Sequence, residues 1–189
     1  ETIHRSCHAL IPDTSDIDTD CNRIDELFEA LHGKDALVFA HVGGRYASLP
    51  VDHDPEIQRS VEIHSAWGTF EWLLHDAFEL GYRVGIVSNS DGNKGRPGAS
   101  YPGASTFGSY GGLTAVITSK LTREAVWEAY MRRHHYGTTG SRTILDVRAM
   151  LPEAGEIIDV DGAAIENNKR VIMGDIVRTA AKQVELEVS

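Results

Sequence analysis

The sequence predicts an α/β fold over residues 1–140, followed by a small β-rich appendage over residues 141–189. Three observations predict it. Apolar runs with the two-residue period of strands alternate with runs of helical period up to about residue 140. The connections between them are short, as parallel βαβ units require. Beyond Gly140 the helical period disappears, leaving strand-like runs separated by glycine and proline.

Taken in order, Ile24, Leu27, Phe28 and Leu31 recur at helical spacing after Asp20, whose carboxylate suits a helix cap, and His32-Gly33 ends the run. ALVFAH is a strand, and VEIH at 61–64 is a second. GTFEWLLHDAFELGY then places Phe70, Leu73, Leu74, Ala77 and Phe78 on one helix face and stops at Gly81. RVGIVSNSD is a third strand and runs into a glycine-rich loop; LTAVIT is a fourth. LTREAVWEAYMRRHH is a helix capped by Thr122, with its basic residues in the last turn, where the helix dipole favours them. The appendage carries TILDVRAM, EIIDV, KRVIMGDIV and KQVELEV, with Pro152, Gly155, Gly162 and Gly174 as turn residues.

A net charge of −10 and a 24% share of charged residues give no clustered basic surface, which argues against nucleic acid as a partner. No apolar run approaches the ~18–20 residues that span a bilayer, so no membrane partner is expected. The chain opens at Glu1 without a signal-peptide pattern, which leaves the compartment open with the cytoplasm favoured. Cys7 and Cys21 are too few for a disulfide framework and read as thiols.

Nine histidines are a high count, and their positions matter more than their number. In parallel α/β folds, functional groups collect at the carboxyl ends of strands. His41 closes ALVFA, Glu62 and His64 close VEIH, and Asp91 closes VGIVSNS. Glu62 and His64 are two apart, so in a regular strand they share a face. Mixed imidazole and carboxylate donors suit zinc, manganese or iron, and a metal site of this kind activates water. In the loop after Asp91, the backbone of Gly92, Gly95 and Gly98 with the cations Lys94 and Arg96 can receive an anion such as phosphate. Each residue also has a plainer reading. His41 alone reads as a hydrogen-bonded rim residue, and Asp91-Gly92 is a common turn dipeptide. Glu62 on an apolar strand is harder to explain without a partner. His75, His134 and His135 read as surface or helix-end residues, while His8 is kept as a pocket residue.

The segments HVGGRYA, VEIHSAWGTFEW, SNSDGNKGRPGASYPGASTFGSYGGLTAV and YGTTG resemble a bacterial family, mostly of unknown function, within the PHP (polymerase and histidinol phosphatase) superfamily. The likeness runs from about residue 36 to residue 146. It implies a partial distorted β/α barrel made of the C-terminal βα units of a seven-stranded parent, with up to three divalent metal ions and phosphoester hydrolysis. It further implies His41, Glu62 or His64, and Asp91 as metal ligands, with Asp91 also steering the water. Asn93 stands where the last motif of the superfamily carries histidine, and the H-x-H strand that opens such chains is absent from these 189 residues. The resemblance therefore implies either the C-terminal part of a longer protein, which the start at Glu1 favours, or a half-barrel that forms a homo-oligomer. The expected function is a metal-dependent hydrolase acting on a small, phosphorylated substrate. The alternative is a non-catalytic ligand-binding or assembly module with a degenerate metal site.

Overall fold

The computed structural model of the protein describes residues 21, 23–41, 47–92, 94–95 and 110–189. Helix α1, Ile24–Leu31, buries Phe28, and its first turn is closed by Glu26, which accepts the Arg23 N–H at 3.2 Å. The predicted cap, Asp20, lies outside the described residues. Strand β1, Phe39–Ala40, is followed by a short 3-10 turn at Leu49–Val51, then β2, Ser60–Ser65, and β3, Gly68–Thr69. Helix α2, Glu71–Glu79, ends in a Schellman motif: Gly81 N–H reaches the Phe78 carbonyl and Tyr82 N–H the Ala77 carbonyl, with Gly81 at φ 76°. Strand β4 is Gly85–Ser88, and β5 is Leu113–Val116.

Helix α3, Arg123–Met131, begins as predicted, with the Thr122 hydroxyl accepting the Ala125 N–H at 3.2 Å. It ends four residues earlier than the sequence suggests. Arg133 N–H bonds the Tyr130 carbonyl and His134 N–H the Ala129 carbonyl, which is again the Schellman pattern, but its left-handed position holds Arg133 at φ 61° where glycine would be usual. His135 is therefore in strand β6, His135–Thr138, and not in the helix. After it come β7, Val147–Ile158, β8, Ala164–Ile172, β9, Ile176–Arg178, and β10, Glu185–Val188.

The described residues form three small sheets, none of them closed, so the expected partial β/α barrel is not what the chain builds. In the first sheet β2 is the hub: it pairs parallel with β1 and with β4, and antiparallel with β3. The parallel ladder stops at β4. Strand β5 pairs antiparallel with β6, and this two-stranded sheet sits beside β4 through side chains. The Thr114 hydroxyl accepts the Ser88 N–H at 3.0 Å and donates to the Ser88 carbonyl at 2.8 Å, so one side chain occupies both groups that a further ladder would use. A Cβ added at Gly137 would run into the Ser88 side chain, so only glycine permits this close approach.

The third sheet is antiparallel, in the order β10-β7-β8 with β9 also on β7. Pro152 and Gly155, expected to be turn residues, lie inside the twelve-residue β7. The register between β7 and β8 shifts between Met150 and Gly155, and Pro152 falls inside that bulge, where no ladder donor is required.

Two apolar clusters result. Leu73 and Ala77 of α2 are fully buried against Val61, Leu49 and Val84, while Leu151, Ile157 and Val171 form the core of the third sheet. Each large side chain buried this way contributes roughly 1.5–3 kcal/mol. The helix face predicted for α2 holds at Phe70, Leu73, Leu74 and Ala77 but not at Phe78, which is 59% exposed. No helix among the described residues is long and apolar enough to cross a membrane.

Candidate functional site

Glu62 is 3% exposed on the hub strand, and an isolated carboxylate at such a place would be expensive. It is satisfied on both oxygens. One accepts a short hydrogen bond from His41 Nδ1, and the other accepts the Asn89 side-chain amide at 2.7 Å. These contacts gather three strand ends, because His41 follows β1, Glu62 lies in β2 and Asn89 follows β4. The Asn89 backbone is anchored at the same point: its N–H bonds the His64 carbonyl at 3.0 Å, and its carbonyl accepts the Gly112 N–H at 2.8 Å.

With its Nδ1 proton given to Glu62, His41 turns Nε2 toward Asp91, whose Oδ2 lies 3.8 Å away. That oxygen is buried and makes no hydrogen bond among the described residues. Asp91 itself holds φ 44°, a left-handed conformation that costs a non-glycine residue roughly 1–2 kcal/mol.

Glu62 and His64 do not converge as the two-residue period predicts. The register of β2 on β4 pairs Glu62 with Val87 and His64 with Ser88, so two steps on β2 match one on β4, a bulge at Ile63. Beyond it, His64 Nδ1 bonds the Thr69 hydroxyl of β3 at 2.7 Å, and His64 Nε2 is buried without a hydrogen bond among the described residues. Lys94 is exposed, whereas Arg96, Asn93 and His8 lie outside the described residues.

Among the described residues, His41, Glu62, His64 and Asp91 do not form a group of three donors within 4.8 Å of one another; His75, Asp76 and Glu79 on the solvated face of α2 do. There His75 and Glu79 are an exposed i, i+4 pair at 3.5 Å, an ordinary arrangement for a helix surface.

Sequence reasoning missed Asn89 and Thr69, each of which orients a histidine or its carboxylate. A buried Glu62 signalled that a donor was needed, and SNSD offered Asn89 at the end of the neighbouring strand. The same reasoning misplaced His134 and His135. His135 is 2% exposed, its Nδ1 donates to the Ile86 carbonyl at 2.8 Å, and Ser60 Oγ lies 2.9 Å from Nε2. Both partners suit a neutral ring, and burial, the largest influence, holds its pKa below the ordinary histidine value. His134 bonds Asp175 at 2.8 Å, and Asp175 is kept below the usual carboxylate range by that bond together with the Ile172 N–H, against the opposing effect of burial.

Residues 84–187, more than half of the chain, match the profile of a family described as protein of unknown function (DUF3604). An uncharacterized protein of Chlamydia pneumoniae is 30% identical, over 70% of this chain and 24% of that protein. The chain thus spans about a quarter of the length of the curated relative it matches. No solved structure matches the chain.

Proposed function

The chain belongs to the DUF3604 family, and from the arrangement at its strand ends we propose that it contributes a divalent-metal pocket to a hydrolase of phosphoesters, the activity that the PHP resemblance implies. The observation that carries this reading is the facing pair His41 Nε2 and Asp91 Oδ2 at 3.8 Å. With Nδ1 hydrogen-bonded to Glu62, His41 presents Nε2 as an acceptor, and Asp91 Oδ2 opposite it is a buried acceptor without a donor among the described residues, which is costly. A cation between them removes that cost. Their separation is shorter than two ligand bonds of about 2.0–2.2 Å laid end to end, so one ion fits between them.

The residues fit a borderline metal such as zinc, manganese or iron, which takes imidazole nitrogen and carboxylate oxygen together. Bound there, such an ion supplies Lewis acidity, lowering the pKa of a water and offsetting developing negative charge. The protein does the rest. Glu62 holds His41 in one tautomer and orientation and Asn89 holds Glu62, as second partners of metal-binding histidines commonly do. Two donors are fewer than the three or four that retain zinc; His8 and Asn93, which lie outside the described residues, are the candidates for the remainder. Lys94, exposed just beyond Asp91, supports the reading as a cation that would attract an anionic substrate.

The test is elemental analysis of the chain purified without chelator, followed by calorimetric titration with zinc and manganese. The expected result is near-stoichiometric metal, with at least about tenfold weaker binding in both His41→Ala and Asp91→Ala. Metal-free protein, or variants that bind as the parent does, would end the proposal.

A second reading, a non-catalytic module with a degenerate site, is favoured by the failure of the four predicted donors to converge within 4.8 Å. Asn93→His separates the two: tighter metal binding means a site short of one ligand, and unchanged binding means a repurposed pocket.

A further inference from the structure

Between the amino-terminal ends of β4 and β6 and the turn joining β8 to β9 lies a cavity of about 520 Å³, lined among others by Tyr82, Ile86, Tyr136, Met173 and Ile176. It opens at the start of β4, the end opposite to Asn89 and Asp91. Its walls are largely apolar, and its size falls in the range of small-molecule sites, roughly 300–1,000 Å³. Two arginines line it, the exposed Arg83 and the buried Arg133, which is 4% exposed.

The placement of Arg133 is unusual in two ways. Its backbone occupies the left-handed position of a Schellman motif, which glycine fills without strain. Its guanidinium is buried with little negative charge to balance it. Nε donates to the Gly174 carbonyl at 3.2 Å and Nη1 to the Met131 carbonyl at 3.4 Å, while Nη2 has no partner among the described residues. The one carboxylate within 4.0 Å among the described residues is Asp159, 3.9 Å from Nη1 and already bound by Arg59. Asp175, which also lines the cavity, is taken up by His134 and Arg132. Burial, and after it the neighbouring Arg59 cation, push the Arg133 guanidinium down to about 10. An anion delivered with an apolar body would meet both needs of this space.

We propose that this cavity binds an amphipathic carboxylate, an aliphatic or arylalkyl acid whose tail lies on the apolar wall and whose carboxylate pairs with Arg133. Arginine suits the role because its planar fork matches a carboxylate with two parallel bonds. The proposal is independent of the metal pocket, which lies at the other end of β4.

The experiment is calorimetric titration of the chain with octanoate and, as an uncharged comparator of the same tail, octanol. The expected result is that octanoate binds at least about tenfold more tightly than octanol, and that Arg133→Gly makes the two equal. Glycine suits φ 61°, so this variant keeps the backbone, and its thermal midpoint checks the fold. A second variant, Met173→Trp, fills the cavity and should weaken both ligands while leaving Arg133 in place. Equal binding of octanoate and octanol by the parent, or no saturable octanoate binding at all, overturns the proposal. So does an octanoate preference that survives in a folded Arg133→Gly.

Discussion

His41 turns one ring nitrogen to Glu62 and the other toward Asp91, so a single imidazole links the end of β1 to β2 and to the loop beyond β4. The orientation of the ring depends on Glu62 remaining ionised and accepting. Replacing Glu62 with glutamine keeps the volume but offers His41 either an amide donor or a weaker acceptor. Metal affinity measured by calorimetry should fall about 10–100-fold, as it does when other carboxylates behind metal-binding histidines are lost. Unchanged affinity would show that Glu62 does not hold His41 for an ion.

Thr69 makes the corresponding contact to His64 across the β2–β3 hairpin, at 2.7 Å. Thr69→Val keeps the shape and removes the hydroxyl, leaving a largely buried ring nitrogen unsatisfied. Urea unfolding should show a loss of about 1–3 kcal/mol. A change within error would mean that water replaces the hydroxyl.

The pH response should be led by His135. Around its ring stand Ser60, the Ile86 carbonyl, Tyr130 at 4.9 Å between ring centroids, and the cations Arg133 and His134, the last two of which disfavour a further charge. Its pKa is lower folded than unfolded, so below the ordinary value of 6.5 the unfolded chain binds a proton that the folded chain does not. Stability should therefore fall as pH drops through and below 6.5, until the depressed folded pKa is reached. Urea midpoints measured across that window check the direction, and a His135→Gln variant should flatten the curve. Asp159 and Asp175, whose pKa values are lowered on folding, act in a separate window: their contribution is lost only below the ordinary carboxylate value of 3.8.

Arg59 is 5% exposed and meets Asp159, which follows β7, so this pair fastens the hub strand to the third sheet. Asp159→Ala leaves Arg59 buried without its carboxylate and removes the nearest one to Arg133. Breaking a buried pair costs about 3–5 kcal/mol, and because the Asp159 side chain is 38% exposed the loss should sit at the lower end of that range. Equilibrium unfolding measures it; a loss below about 1 kcal/mol would class the contact with surface pairs.

The helices and most strands were legible because their signals are local. Thr122 before a helical run, Gly81 after one and β-branched residues in GIVS act within a few positions, and the structure places α2, α3 and β4 near where those signals put them. The strand ends that carry His41, Glu62, His64 and Asp91 were legible for the same reason; His41 contacts Glu62 and lies 3.8 Å from Asp91, but the four donors do not gather. Where expectation failed, the deciding residue was far along the chain. Arg133 could end α3 early because Gly174, forty-one residues later, has no side chain to collide with its carbonyl. Pro152 could stay in a strand because it falls in the bulge of β7 against β8, where no donor is required.

The sequence by itself determined the helices α1, α2 and α3, the strands β1, β2, β4 and β5 and the set of polar residues at the strand ends, since period, capping and turn chemistry are properties of neighbours; β3 and β6 were not legible in it. Only the tertiary structure decided that the parallel ladder stops at β4, that the bulge at Ile63 parts Glu62 from His64, and that Arg133 faces a cavity. Each of these depends on close contact between segments remote in sequence, where a missing Cβ at Gly137 or a hydroxyl at Thr114 chooses between pairing and packing. A local pattern carries no information about such contacts.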